Sequence, residues 1–216
     1  MASVVIAGDT SGTVTLAAPA VAGTTTLTLP TANGTVLTSA SSIPTSQLTG
    51  SVTRSQLPTG TVLQVVSASK TDAQSYAPAG NTWVDITGLS VSITPTSATS
   101  RILVFHSVNA GNGADGGHIS IRTVRDSTPI GIANASGSRP RSSSIAINTS
   151  IGGQQLTACN MFLDSPATTS ALTYKIQGLV NAAGGTAFVN YTSRNTDQPG
   201  YDGLGVSNIT VMEIAA

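Results

Sequence analysis

Charge is what this chain has least of. Only 8% of its 216 residues are Asp, Glu, Lys or Arg, and nine basic groups balance nine acidic ones, whereas about a quarter of a soluble domain is usually charged. Sparse, balanced charge gives no general attraction to nucleic acid or to an anionic membrane, so neither is an expected partner. Glutamate occurs once, as Glu213, and lysine twice, as Lys70 and Lys175. With strong helix formers this scarce, and with 22 glycines and 10 prolines spread along the chain, long helices are excluded. The single cysteine, Cys159, permits no internal disulfide, so the fold does not depend on an oxidising compartment. No apolar run approaches the roughly 20 residues of a membrane span. Met1 is followed directly by Ala-Ser-Val-Val-Ile, without the basic start and cleavage site of a signal peptide. Asn-x-Ser/Thr triplets at Asn33, Asn134, Asn148, Asn190 and Asn208 are therefore read as chance in a Ser/Thr-rich chain.

Ser, Thr, Gly, Ala and Val dominate instead, and apolar residues recur in alternation, the period of half-buried strands. Three zones follow. Residues 1–39 carry Val14 and Leu16, then Leu27 and Leu29, each alternating with threonines. Asn33-Gly34 is a strong hairpin signal, because both central positions of a type I′ turn need positive φ; it would join residues 24–30 to 35–38. So small a hairpin buries too little by itself and needs partners. Residues 40–60 contain an imperfect repeat, Ser46-Gln47-Leu48-Thr49-Gly50 and Ser55-Gln56-Leu57-Pro58-Thr59-Gly60. One leucine per unit in a polar setting suits a shaft of identical chains packed round an axis, and equally a flexible linker.

Residues 61–216 have domain size. Strands are expected at 61–67, through Leu89, Val91 and Ile93, at 102–105, through Ile119 and Ile121, through Ile145 and Ile147, through Cys159, Met161 and Leu163, through Leu172, Tyr174 and Ile176, at 186–191 and at 206–214. The continuous apolar run at 102–105 reads as a strand buried on both faces. Many short strands punctuated by Gly, Pro, Asn and Ser indicate an antiparallel β-sandwich, jelly-roll-like. The fold class is thus all-β: an extended β or hairpin segment, a repeat-bearing shaft or linker, and a sandwich. Association into a trimer would cover the exposed sheet edges.

Catalytic chemistry is not signalled. His106 and His118 lie twelve apart, without zinc-site spacing, and His106 sits in an apolar run as a hydrogen-bonded core residue would. Asp115, Asp164, Asp197 and Asp202 occupy loop-like settings where turn chemistry favours Asp. The glycine-rich stretches 111–117 and 200–205 do not fit a phosphate-binding loop. No catalytic residues, no metal and no cofactor are expected. Trp83, Tyr76, Tyr191 and Tyr201 offer stacking faces. The ligand-binding candidates are Tyr201, for its ring and hydroxyl, and Asp202, as an acceptor for sugar hydroxyls, both in the loop 195–203. The loop 109–117 is a second place for recognition residues.

Residues 11–38 (SGTVTLAAPAVAGTTTLTLPTANGTVLT) resemble the N-terminal segment of many bacteriophage fibre and virion-appendage proteins. Residues 57–66 (LPTGTVLQVV) followed by 93–104 (ITPTSATSRILV) are similar to the start of their distal β domains. The resemblance implies a homotrimer, a virion attachment segment at 1–39, a shaft or linker at 40–60 and an outward knob at 61–216. It implies a tail fibre, or a head fibre or capsid decoration protein, located in the virion and made in the bacterial host cytoplasm. Other virion proteins and a host surface glycan would be its partners. Some fibre tips carry a His-x-His iron site; His106 and His118 do not form one. A carbohydrate-binding recognition module is the alternative reading.

Overall fold

The computed structural model describes residues 3–7, 13–17, 56–77, 82–113, 118–147, 155–180 and 185–216. They fall in two units, Met1–Ser51 and Val52–Ala216. In the first, β1 (Ser3–Ala7) pairs antiparallel with β2 (Thr13–Ala17), Val5 opposite Thr15. The Val14/Leu16 alternation marked β2, whereas β1 carried no such pattern. The expected hairpin at Asn33-Gly34 and the first repeat unit at Leu48 lie outside the described residues.

The second unit holds β3 (Val62–Lys70), β4 (Gln74–Tyr76), β5 (Val84–Ile93), β6 (Arg101–Asn112), β7 (His118–Arg125) and β8 (Thr128–Ile130). There follow β9 (Ser144–Ile147), β10 (Leu156–Asp164), β11 (Leu172–Val180), β12 (Ala187–Val189) and β13 (Ser207–Ile214). One sheet runs β3-β13-β6-β10, with β12 and β4 continuing from the end of β6; the other runs β5-β11-β7, with β8 and β9 sharing the free edge of β7. Every pairing is antiparallel. The chain passes between sheets at β4–β5, β5–β6, β6–β7, β9–β10, β10–β11 and β11–β12. Two antiparallel sheets fed alternately by the chain make a β-sandwich.

The core lies between the sheets. Leu89, Val91 and Ile93 face Ile102, Val104 and Val108, with Ile119, Ile121, Tyr174, Ile176, Ile209 and Val211 filling the rest. Each such side chain contributes about 1.5–3 kcal/mol on burial. Pro95 follows the end of β5, as its missing N–H requires. The chain joins the sandwich through a turn in which Thr61 N and Oγ1 both donate to Pro58 O. Gly60, with φ at 90°, occupies a backbone region that glycine alone adopts freely. Its N–H donates to Ala215 O at 2.8 Å. This end is proximal. The opposite, distal end holds Lys70, paired with Ser207, and Asn112, paired with Ala187.

Three sequence expectations reverse here. Strand β6 is buried on one face only, for Phe105 is 39% exposed while Ile102 and Val104 are closed off. In β10 the inward residues are Ala158, Phe162 and Asp164, and the apolar set Cys159, Met161 and Leu163 faces outward. Phe162 packs against the core and Asp164 is held by buried partners, which fixes that register. In β9, likewise, Ala146 is buried and Ile145 is exposed. Alternation located each strand, but which parity faces in was set by what lies opposite.

Candidate functional site

The distal end is built around Asn190. Its N–H donates to Asn109 O at 2.9 Å and its carbonyl accepts from Gly205 N at 2.8 Å. Its side-chain amide donates to Lys70 O at 2.8 Å and Asp72 O at 3.0 Å, while Oδ1 accepts from Ser207 Oγ at 2.6 Å. One residue thus ties β12, β13, β6 and the turn after β3 together and closes the base of the loop 190–206. Its φ of 67° is a left-handed conformation that Asn tolerates. At 1% exposure with every polar group engaged, the Asn190 triplet is no glycan acceptor. Because glycine accepts the same φ, Asn190→Gly isolates the hydrogen bonds. It is expected to cost about 2 kcal/mol in urea unfolding and to speed proteolysis within the loop.

Asp202 organises the loop from inside. Its carboxylate accepts from Thr192 Oγ1 at 2.5 Å, from Thr196 N at 3.1 Å and from Thr196 Oγ1, with Arg194 Nε at 3.2 Å. The hydrogen bonds from Thr192 and Thr196 hold its pKa at about 2. Its carboxylate is therefore committed to the loop rather than presented to a ligand. Tyr201 is the opposite case. It is 69% exposed, its ring lies 5.6 Å from the Arg194 guanidinium carbon, and Arg194 Nη2 donates to its carbonyl at 2.7 Å. Beside them opens a concavity of about 500 Å3 lined by Tyr191, Thr196, Asp197, Gln198, Pro199 and Leu204. Leu204 is 81% exposed. The site offers an aromatic face, amide groups and two acidic side chains, Asp197 and the Asp202 already engaged by Thr192 and Thr196.

The other places named from sequence are structural. His106 is 1% exposed in the core, its Nδ1 3.1 Å from Thr123 Oγ1 and its Nε2 3.1 Å from Ser144 Oγ. Asp164 is not a loop residue but the last of β10, bound to Arg125 and Tyr174. Of the stretch 111–117, Gly111 and Asn112 belong to β6 and Asp115 lies outside the described residues. Arg141 Nε donates to Ala133 O at 2.6 Å within its own loop. Tyr191 packs edge-on against Phe188 at 5.3 Å. Among the described residues no three His, Cys, Asp or Glu side chains gather as a metal site would need.

The two outer faces of the sandwich differ sharply. On the β5-β11-β7 sheet, Arg122 Nε donates to Gln177 Oε1 at 2.8 Å and stacks 4.2 Å from the Trp83 ring centroid. Lys175 and Gln177 both donate to Asp85, at 2.8 and 2.6 Å. This is a solvated, charge-laced surface. On the β3-β13-β6-β10 sheet, Leu163, Leu103, Met212 and Val65 lie opposite one another across all four strands. Met161 and Phe105 form the next row, and Ile214 and Val62 border the first.

No protein-family profile matches this chain, and no curated protein sequence does. Solved structures that this chain matches include three of infectious bursal disease virus. The virus's Gx strain structure is 13% identical with a TM-score of 0.38, covering 70% of this chain and 42% of that one. The VP2 subviral particle is 12% identical, TM-score 0.38, over 71% of this chain and 38% of that one. The virus-derived T=1 particle structure is 12% identical, TM-score 0.38, over 70% and 39%. This chain spans about two fifths of those chains' length.

Sequence reasoning named Tyr201 and Asp202 together as ligand-binding candidates; the structure separates them, Tyr201 exposed and Asp202 held by Thr192 and Thr196. Sequence reasoning missed Asn190, whose only signal was its position after a strand in Asn-Tyr-Thr. It also missed the outer apolar face, although the unbroken run 102–105 and the apolar residues of β10 were both visible in the sequence.

Proposed function

We propose that this protein is a structural subunit of a phage virion, a fibre or capsid-projecting protein assembled from three copies and anchored by residues 1–39. Its role is architectural rather than catalytic. The observation that carries the reading is the polarity of the sandwich. The chain enters at the proximal end, where Gly60 and Thr61 exchange backbone hydrogen bonds with Ala215, and the ordered loop 190–206 stands at the other end. A unit tethered at one end and presenting a loop at the other is suited to projecting from a particle. The resemblance of residues 11–38 and 57–66 to phage fibre proteins supports the same reading. Within it, the distal loop contacts the host surface, with exposed Tyr201 stacking on a sugar ring beside the concavity and Asp202 holding the loop in shape.

One experiment with two arms tests this. Deleting residues 1–39 is expected to abolish incorporation into particles while leaving a soluble sandwich with an unchanged β-sheet spectrum. Replacing Tyr201 with alanine is expected to leave incorporation intact and to reduce adsorption to host cells. Truncated protein that still decorates particles would overturn the anchoring role. Unchanged adsorption by Tyr201→Ala particles would leave the loop as architecture and favour a decoration protein.

A further inference from the structure

The outer face of the β3-β13-β6-β10 sheet is apolar where a solvated face would be polar. Met161 is 65% exposed, Val65 55%, Val62 48%, Leu163 41% and Phe105 39%, and they form contiguous rows with Leu103, Met212 and Ile214. Strand β10 is inverted to make it so, turning Asp164 inward and Met161 and Leu163 out. Scattered apolar side chains are ordinary on a protein surface, but a contiguous patch of several hundred Å2 marks an interaction site. The sheet on the other side, with its Arg122, Asp85 and Lys175 network, shows what a water-facing surface of this same chain looks like.

We propose that this face is the surface by which copies of this chain associate, three of them turned to a common axis; the inference rests on the threefold reading above. Charge favours a second copy as the occupant. Among the described strand residues of the face the one formal charge is Arg101, at its proximal end, so identical faces meet with almost no charge to desolvate or to repel. Beyond the apolar rows the face continues as Ser67, Ser69, Ser107 and Asn208, neutral groups suited to a rim. Size agrees. Four strands about 4.8 Å apart make a face about 19 Å wide, and eight residues at about 3.3 Å make it about 26 Å long. That is roughly 500 Å2 in projection, and side-chain relief brings it toward the about 800 Å2 per partner of a stable interface. The width also fits a threefold arrangement. Three faces about 19 Å wide enclose a prism whose walls stand about 5.5 Å from the axis, close to half the roughly 10 Å at which sheets pack. Side chains from three copies would fill it.

Cys159 reports on the interface. It is the chain's only cysteine, is exposed in the single subunit, and sits on this face opposite Ser107. The test uses the full chain, a double variant Met161→Lys/Leu163→Lys on one edge strand, and Val65→Lys on the other. Sedimentation gives the mass, and an aromatic disulfide reagent gives the rate of Cys159 modification. The expected result is a wild-type trimer in which Cys159 reacts about tenfold more slowly than in the variants, which remain folded and become monomers. Should one variant fail to fold, the other edge and the wild-type thiol rate still decide. Variants that stay trimeric with an unchanged thiol rate would overturn this interface and leave the threefold reading standing. A wild-type monomer with a fast thiol would overturn both. A wild-type monomer with a slow thiol would mean that the chain's own preceding segment covers the face, which also overturns the proposal. A dimer dissociated by the variants would uphold the face and overturn the threefold arrangement.

Discussion

Replacing Asp164 with alanine is expected to destabilise the sandwich by about 3 kcal/mol and to lower its melting midpoint by roughly 6–12 °C. Asp164 ends β10 in one sheet and is met by two residues of the other. Tyr174 Oη donates to its Oδ2 at 2.8 Å and Arg125 Nη1 donates to the same oxygen at 2.5 Å. The Tyr174 ring is fully buried and the Asp164 side chain is 8% exposed, so neither group finds water once the other is lost. Removing the carboxylate strands a buried hydroxyl and leaves the Arg125 charge to its remaining contacts. Arg125 is 24% exposed and recovers some hydration, which places the cost at the low end for a broken buried pair. Asp164→Asn keeps an acceptor for Tyr174 and is expected to cost about half as much. Thermal unfolding of the two variants checks the account. A shift under about 2 °C for Asp164→Ala would show that the cluster does not hold the sheets together.

Acid is expected to weaken the fold through His106 before the carboxylates respond. Burial lowers the His106 pKa from 6.5 to about 4, and its ring is held between the neutral hydroxyls of Thr123 and Ser144. The neutral form is therefore the folded form. The unfolded chain takes up a proton as pH drops through 6.5, and the folded chain does so only near 4. Stability is full above about pH 7, falls across this window by about 1.4 kcal/mol per pH unit, and levels off below 4, a total of about 3 kcal/mol. Carboxylates act lower on the scale. Burial alone would raise the Glu213 pKa, but donors from Ser100, Gln64 and Thr96 hold it below its usual value, so its contribution is lost only as pH falls below the ordinary carboxylate range. His106→Gln retains a donor and an acceptor at the site without the titration. Urea unfolding of the wild type and this variant between pH 7 and 4.5 isolates the effect. Equal slopes for both proteins would remove His106 as the cause.

Most of the fold was legible because strands advertise themselves by alternation. Leu89, Val91 and Ile93, then Leu172, Tyr174 and Ile176, mark strands whose inward parity the structure repeats. Pro95 marked the end of β5. The site was half legible. Gly-Tyr-Asp-Gly signalled a turn, and an exposed tyrosine was a fair expectation from it. That Asp202 would be consumed by Thr192 and Thr196 depended on the backbone path between them, which no local pattern encodes.

By itself the sequence determined the class of this protein: weak charge, abundant β-branched residues and period-2 runs leave an antiparallel β structure as the way to bury the apolar half of each strand. Tertiary structure alone decided which half that was. Alternation has two solutions that differ by one residue, and in β10 the sequence favoured Met161 and Leu163 as the inward set. Phe162 against the core and Asp164 against Tyr174 and Arg125 chose the other. The consequence is an apolar outer face on one sheet and a charged one on the other, a difference that arises only when strands distant in sequence, β3, β13, β6 and β10, are laid side by side.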